Sequence, residues 1–277
     1  MSQVINYLKL FRFDAALISF FTYLTGAAIG GPPEGKDLLR ALLITFISTN
    51  FIYTFNSWAD RDIDRINKGF RPIPSGKIKA AHAFIYSMIL LTLSCVYPFF
   101  ISTTPAPLIL FLLLPILGLL YSAKPFRFRR KPLLSVFTIS TGLLIPILTG
   151  YLMKSSDFSE IPFFVTLYLY CLFVIPLKQI EEEKEDMQFK EPNLYLTHGK
   201  RLLFFPAGGL LMNFFISLVV VKNSELRLYA LIFNLSTLIL IVLFMRLRCH
   251  LNRLYETIIR MVIIESALLF ALLSFFS

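Results

Sequence analysis

Asn56, Asp60 and Asp64 recur every fourth residue in the stretch Asn56-Ser57-Trp58-Ala59-Asp60-Arg61-Asp62-Ile63-Asp64. On a helix, side chains four apart share one stripe, each offset by about 40° from the last. A carboxamide and two carboxylates stacked in this way make a hard-oxygen site. They suit Mg2+, which takes one or two carboxylates and fills its octahedron with water and phosphate oxygens. Asp62 falls on another face. The following segment, Asn67-Lys68-Gly69-Phe70-Arg71-Pro72-Ile73-Pro74-Ser75-Gly76-Lys77, is turn-rich and sets cations beside the carboxylates. Carboxylates hold metal and cations hold phosphate, so together the two segments point to a metal–diphosphate site. The plainer alternative is a solvated helix end with Arg61 and Arg65 as counter-charges. Carboxylates at membrane depth are costly, however, and are functional candidates by default.

Two further polar segments stand out. Lys178-Gln179-Ile180-Glu181-Glu182-Glu183-Lys184-Glu185-Asp186 closes a later apolar stretch. By itself it reads as a solvated charge run. Tyr121-Ser122-Ala123-Lys124-Pro125-Phe126-Arg127-Phe128-Arg129-Arg130-Lys131 is a basic loop between two apolar stretches. By itself it reads as a loop retained on the cytoplasmic side. The cysteines Cys95, Cys171 and Cys249 show no metal or redox spacing and read as small buried hydrophobes. His82, His198 and His250 are scattered and make no metal set.

The elements that must carry these residues are membrane helices. Of 277 residues, 56% are hydrophobic and only 16% charged, too little polar surface for a soluble domain of this size. The apolar residues fall into segments of roughly 18–22, and about 20 residues cross a bilayer as a helix. Nine spans are expected, at 13–30, 38–58, 80–102, 105–122, 133–152, 161–180, 202–221, 227–246 and 256–276. Lys and Arg alternate in step with them. Arg61 to Lys79, Lys124 to Lys131 and Lys178 to Arg201 lie on one side, with little positive charge on the other. This predicts a cytoplasmic N-terminus, cytoplasmic polar loops and an outside C-terminus. No cleavable signal is expected. The net charge of +10 then reflects cytoplasmic loops, anionic lipid or an anionic substrate, and no nucleic-acid module is present. The two long charged loops follow the second and sixth spans. The chain is therefore expected to be one transmembrane domain, 1–277, of two similar halves at about 1–130 and 131–277.

The pattern NxxxDxxxD at 56–64, followed by Arg71-Pro72-Ile73-Pro74-Ser75-Gly76, resembles the first signature of the UbiA superfamily of intramembrane prenyltransferases. It departs from many members at Ser57, where they carry Asp. The resemblance implies an all-α fold of about nine transmembrane helices around a central cavity. It implies a Mg2+-dependent enzyme that ionises an isoprenyl diphosphate and transfers the prenyl group to an aromatic or lipid-like acceptor. The family's second motif, commonly DxxDxxxD, falls by position on Gln179, Glu182 and Asp186, again one helical stripe but with two of three aspartates replaced. Metal ligands are thus expected at Asn56, Asp60, Asp64, Gln179, Glu182 and Asp186. The diphosphate is expected on Lys68, Arg71, Ser122, Lys124 and Arg127. Catalytic roles are expected for Asp60, Asp64, Asp186 and Tyr121, which would stand at the membrane edge of the cavity. Tyr53, Phe55 and Tyr168 are aromatic candidates for stabilising an allylic cation.

The stretch from Asp62 to Gly76 is most similar to members acting on lipid-like or tetrapyrrole acceptors, with aromatic acceptors open. Two alternatives remain: a terpene cyclase of the same family, and a transport or non-catalytic protein of the same fold. Charges at helix ends, rather than at midplane breaks, weigh against transport. A CDP-alcohol phosphotransferase would need DGxxAR followed by GxxxDxxxD, which the sequence lacks.

Overall fold

The computed structural model describes residues 6–7, 9–11, 13–102, 104–246 and 251–276. Cys249 and His250 lie outside the described residues. Among those described there is no strand. The helices are α1 (Phe13–Gly30), α2 (Gly35–Ala59), α3 (Arg61–Asn67), α4 (Ala80–Ile101), α5 (Pro105–Ser122), α6 (Pro132–Leu152), α7 (Ile161–Glu181), α8 (Glu183–Phe189), α9 (Leu194–Val220), α10 (Ser224–Arg246) and α11 (Leu254–Phe276). Eight of them are long and apolar enough to cross a membrane, and α1 contributes a shorter apolar stretch, Ala16–Gly30. These correspond to the nine expected spans. The seventh starts earlier than expected, at Leu194. The Asn193 side chain caps it by accepting from the N–H groups of Tyr195 and Leu196 at 2.7 and 3.2 Å. Prolines open α5, α6 and α7, where a missing N–H costs nothing.

The chain divides into two compact units. The first contains residues 1–131, 145–155 and 270–277. Its core is formed by Tyr23, Ala27, Ala41, Ile44, Phe111 and Leu114. Gly26 lies against the backbone of Ile147, and Gly150 lies against the Tyr23 carbonyl. A Cβ at either glycine would collide with backbone, so these residues let α1 and the later part of α6 touch.

α2 is the element that carries the first acidic stripe, and polar bonds set its rotation. Its middle is a π turn, Ile44–Thr49. From that turn and just below it, Ser48 bonds Tyr97 (3.0 Å), Thr49 donates to Ser19 (3.1 Å), and Asn50 donates to Tyr86 (2.9 Å). The bonds reach α1 and α4, so α2 cannot turn about its axis without breaking them. Gly118 of α5 abuts Ile52 and Phe51 on another face of α2. The end of α2 is thereby aimed.

The second unit contains residues 132–144 and 156–269. Tyr170, Leu177, Leu203, Leu210, Phe233, Ile241, Leu254 and Ile258 form its buried cluster. Asn213 of α9 donates to the Thr166 carbonyl and to Asn234, both at 3.0 Å, and Tyr170 bonds Thr237 at 2.6 Å. These bonds tie α7, α9 and α10 together at membrane depth, where no water competes.

Candidate active site

The first cluster is built on a helix that breaks and restarts at its central carboxylate. Asp60 ends α2 at φ −99°, ψ 8°, in the bridge region, and begins α3. The four-residue rhythm survives the break. Asp60 N–H donates to the Asn56 carbonyl (2.9 Å), Asp64 N–H to Asp60 (2.8 Å), and Lys68 N–H to Asp64 (2.8 Å). Asp60 and Asp64 are 2% and 1% exposed, whereas the Asp62 side chain is 66% exposed beside Arg61 and Arg65. The stripe argument therefore separates the two buried carboxylates from the solvated one.

Cations from two loops converge on this stripe. The turn after α3 is pinned by Ile73 and Ile78, which are buried with Leu10 and Ala83, and by a bond from Ile78 N–H to the Pro72 carbonyl (3.0 Å). Gly76 supplies the left-handed conformation (φ 75°) that closes it. Arg71 thereby reaches Asp64 at 2.7 Å, with Lys68 at 4.0 Å. Burial pushes the Asp64 carboxyl above its ordinary range, against the pull of Arg71 and Lys68. From the loop after α5, Arg127 donates to Asp60 at 3.3 Å and Arg129 forms an ion pair with its other oxygen. Ser122, at the end of α5, donates to the Asn56 side-chain oxygen at 3.1 Å. Tyr121 is buried beside it. Lys124 is exposed.

The expected residues Asn56, Asp60, Asp64, Lys68, Arg71, Ser122 and Arg127 are thus brought together in the first unit. Arg129 joins them. In the sequence it was one of several loop cations, and the alternation Arg127-Phe128-Arg129 was the available signal.

The second cluster, in the other unit, breaks in the same way. Glu182 ends α7 at φ −87°, ψ 0°, and begins α8. Its side chains bond differently. The Gln179 side-chain oxygen accepts from Leu194 N–H at 2.6 Å. Asn193 donates to the Gln179 carbonyl (2.8 Å) and to Asp186 (2.6 Å). Glu182 pairs with Lys178 at 2.8 Å. These bonds hold the turn between α8 and α9, and Asn193 is the residue that sequence reasoning missed. His82 and His198 are exposed.

The fit of the first cluster to a divalent cation follows from its donor chemistry. One Asp60 oxygen, Oδ2, is buried and faces the Arg129 guanidinium. Asn56 adds a neutral oxygen one turn away. Among the described residues no three His, Cys, Asp or Glu side chains converge. The protein therefore offers part of a coordination sphere, as suits an ion that retains water and phosphate oxygens.

The profile of the UbiA prenyltransferase family matches residues 17–257. The chain belongs to the UbiA prenyltransferase family. It is a multi-pass intramembrane prenyltransferase. Among curated relatives, digeranylgeranylglyceryl phosphate synthase of Methanocaldococcus jannaschii is 30% identical over 257 residues, covering 88% of this chain and 82% of that one. The protein of the same name from Methanosphaera stadtmanae is 28% identical over 239 residues, covering 86% and 83%. A UbiA homologue from Archaeoglobus fulgidus, solved bound to DMAPP and Mg2+, superposes with a TM-score of 0.77 at 19% identity, over 96% of this chain and 99% of that one.

Proposed function

We propose that this UbiA-family enzyme ionises an isoprenyl diphosphate, with Mg2+ as its metal, and transfers the prenyl group to a lipid-like phosphate acceptor. The observation that carries the reading is the buried pair Asp60 and Asp64, one helical turn apart and faced by Arg71, Lys68, Arg127 and Arg129. Asn56, Asp60 and Asp64 would hold the metal, which neutralises charge developing on the diphosphate leaving group. Lys68, Arg71 and Arg127 bind the diphosphate oxygens, and Ser122 orients Asn56. Tyr121 closes the membrane-side edge. In the second motif, where metal ligands were expected at Gln179, Glu182 and Asp186, Gln179 fixes the turn before α9 within its own unit. The A. fulgidus homologue's DMAPP and Mg2+ support the metal and the substrate class.

The relatives' names support this acceptor class. Their product name describes a glyceryl phosphate carrying two geranylgeranyl groups. A prenyl diphosphate and a singly prenylated glyceryl phosphate are its chemical precursors. The biased distribution of Lys and Arg supports a cytoplasmic N-terminus and active-site loops, with the C-terminus outside. The two polar loops support one domain of two related halves.

The test is mass spectrometry of products formed by the purified protein with Mg2+, geranylgeranyl diphosphate and either geranylgeranylglyceryl phosphate or 4-hydroxybenzoate. The expected result is a doubly prenylated glyceryl phosphate that EDTA abolishes. Prenylation of the aromatic acceptor alone would overturn the acceptor class. A cyclic product formed without acceptor would replace transfer by cyclisation.

A further inference from the structure

Phe70 and Phe126 are exposed although both lie beyond the ends of the membrane-crossing helices. The turn after α3 buries Ile73 and Ile78 yet leaves Phe70 78% exposed. The loop after α5 leaves Phe126 52% exposed, its ring edge-on to Phe128 at 6.3 Å. One exposed apolar side chain calls for no explanation. These two, however, hold equivalent places. Each directly precedes an arginine that faces a buried aspartate, Arg71 at Asp64 and Arg127 at Asp60. In both loops the ring stays outside while the next side chain turns in, and the side chains of Arg71 and Arg127 are only 20% and 12% exposed. At Arg127 the reversal is made by a left-handed residue (φ 38°, ψ 58°).

The same two loops contain no acidic residue. Between Asp64 and Asp157 the sequence has no Asp or Glu at all. Lys77, Lys79 and Lys124 are exposed and stand apart from the pairs on Asp60 and Asp64. Lys131 is exposed too, with its Nζ over the Phe128 ring at 5.9 Å from the centroid. The attachment of these residues keeps them near the bilayer. Lys79 directly precedes α4, and Lys124 and Phe126 follow closely on Ser122, the last residue of α5. An apolar ring beside exposed ammonium groups at this level has the make-up of an interfacial anchor. The ring is driven out of water into the headgroup boundary, and the ammonium groups meet lipid phosphates. The long lysine stems let the charge reach that plane.

We propose that the turn after α3 and the loop after α5 form a docking surface for anionic glycerophospholipids of the adjacent leaflet. Phe70 and Phe126 sit among the headgroups, and Lys77, Lys79 and Lys124 gather lipids with negative headgroups around them. Because the two rings adjoin Arg71 and Arg127, the membrane surface steadies the residues that face Asp64 and Asp60. The inference stands on exposure, charge and placement, and does not depend on which acceptor the enzyme uses.

The test is fluorescence quenching of the full chain in vesicles of phosphatidylcholine and phosphatidylglycerol mixed in one fixed ratio. Trp58, the single tryptophan, is replaced by Trp58→Phe, which keeps an aromatic ring against Phe55 and Phe84. Phe70→Trp or Phe126→Trp then supplies one reporter in each loop. The acyl chains are brominated near the headgroup on either the phosphatidylcholine or the phosphatidylglycerol. Both reporters should be quenched, by at least about twofold more when the bromine is on phosphatidylglycerol, since each lysine near an anionic surface favours it several-fold. That preference should fade in about 1 M NaCl, which screens exposed charges beyond a few ångströms. It should also fade at the Phe70→Trp reporter with Lys77→Gln and Lys79→Gln, and at the Phe126→Trp reporter with Lys124→Gln. If Trp58→Phe does not fold, amide hydrogen exchange of the unaltered chain in nanodiscs replaces it. Exchange at 68–79 and 123–131 should then be slower with phosphatidylglycerol than with phosphatidylcholine alone. Equal quenching by the two lipids, or equal exchange in the two nanodiscs, would overturn the anionic-lipid surface. Reporters quenched by neither lipid would place the loops in water and overturn the docking itself. Either result leaves the proposed function standing.

Discussion

The two acidic clusters share a backbone device and differ in what their side chains hold. At Asp60 and at Glu182 a helix breaks at bridge-region angles and restarts at once, keeping the residue four later on the same stripe. In the first cluster, carboxylates meet cations that arrive from distant loops, at Arg71, Arg127 and Arg129. In the second, a Gln and an Asp meet Asn193 and the N–H of Leu194, and Glu182 meets Lys178 four residues earlier. The first set gathers its counter-charges from distant loops. The second ties one helix to the start of the next. Equal spacing therefore does not give equal chemistry, because a side chain's partners decide whether its oxygens are open to an ion.

The comparison can be broken most sharply at the first cluster. Asp60→Ala and Asp64→Ala should each lower Mg2+-dependent diphosphate release by about two to three orders of magnitude, the scale of losing one preorganised electrostatic group. Asp60→Ala should also lower the melting midpoint, since it leaves Arg127 and Arg129 buried without their counter-charge, so release is compared per folded protein. Release near the wild-type rate in both would erase the distinction between the clusters.

A smaller effect is expected at Gln179. Gln179→Leu keeps the volume but leaves Leu194 N–H without its acceptor, a loss of about 1–3 kcal/mol for an unsatisfied buried group. A calorimetric melt should show lowered stability, with a smaller loss of turnover than at Asp60. A loss of turnover as great as that of Asp60→Ala, with unchanged melting, would make Gln179 a metal ligand. Asp62→Ala should change turnover by less than about threefold, as expected of an exposed surface charge. A large loss there would undo the stripe argument.

The smallest effect is at the opposite end of α2 and serves as a control. Hydrogen bonds from Lys154 and Lys36 lower the Glu34 carboxyl from its ordinary value near 4.5 to about 2. Its folded-state value is depressed, so its contribution is present above pH 4.5 and is lost as the pH falls toward 2. Glu34→Gln should flatten the stability profile slightly in that acid window and leave turnover unchanged. A turnover defect near neutral pH would show that this end also bears on catalysis.

Much of this was legible in the sequence, for physical reasons. Span positions follow from apolar length, and the separation of Asp62 from Asp60 and Asp64 follows from helical geometry. The buried partners were not legible. Arg129 stands among five Lys and Arg residues between 124 and 131, and only the left-handed turn at Arg127 decides which of them face Asp60. Gln179 looked like a weakened ligand because its motif position was visible, whereas its bond to Leu194 N–H depends on a turn fifteen residues away. The π turn in α2 and the polar bonds that set its rotation have no local signature either.

The most direct test is Mg2+-dependent diphosphate release from geranylgeranyl diphosphate by purified Asp60→Ala, beside wild type and Gln179→Leu. The account predicts release by wild type, reduced release by Gln179→Leu, and release lowered by about two to three orders of magnitude in folded Asp60→Ala. Release by Asp60→Ala at the wild-type rate would contradict it.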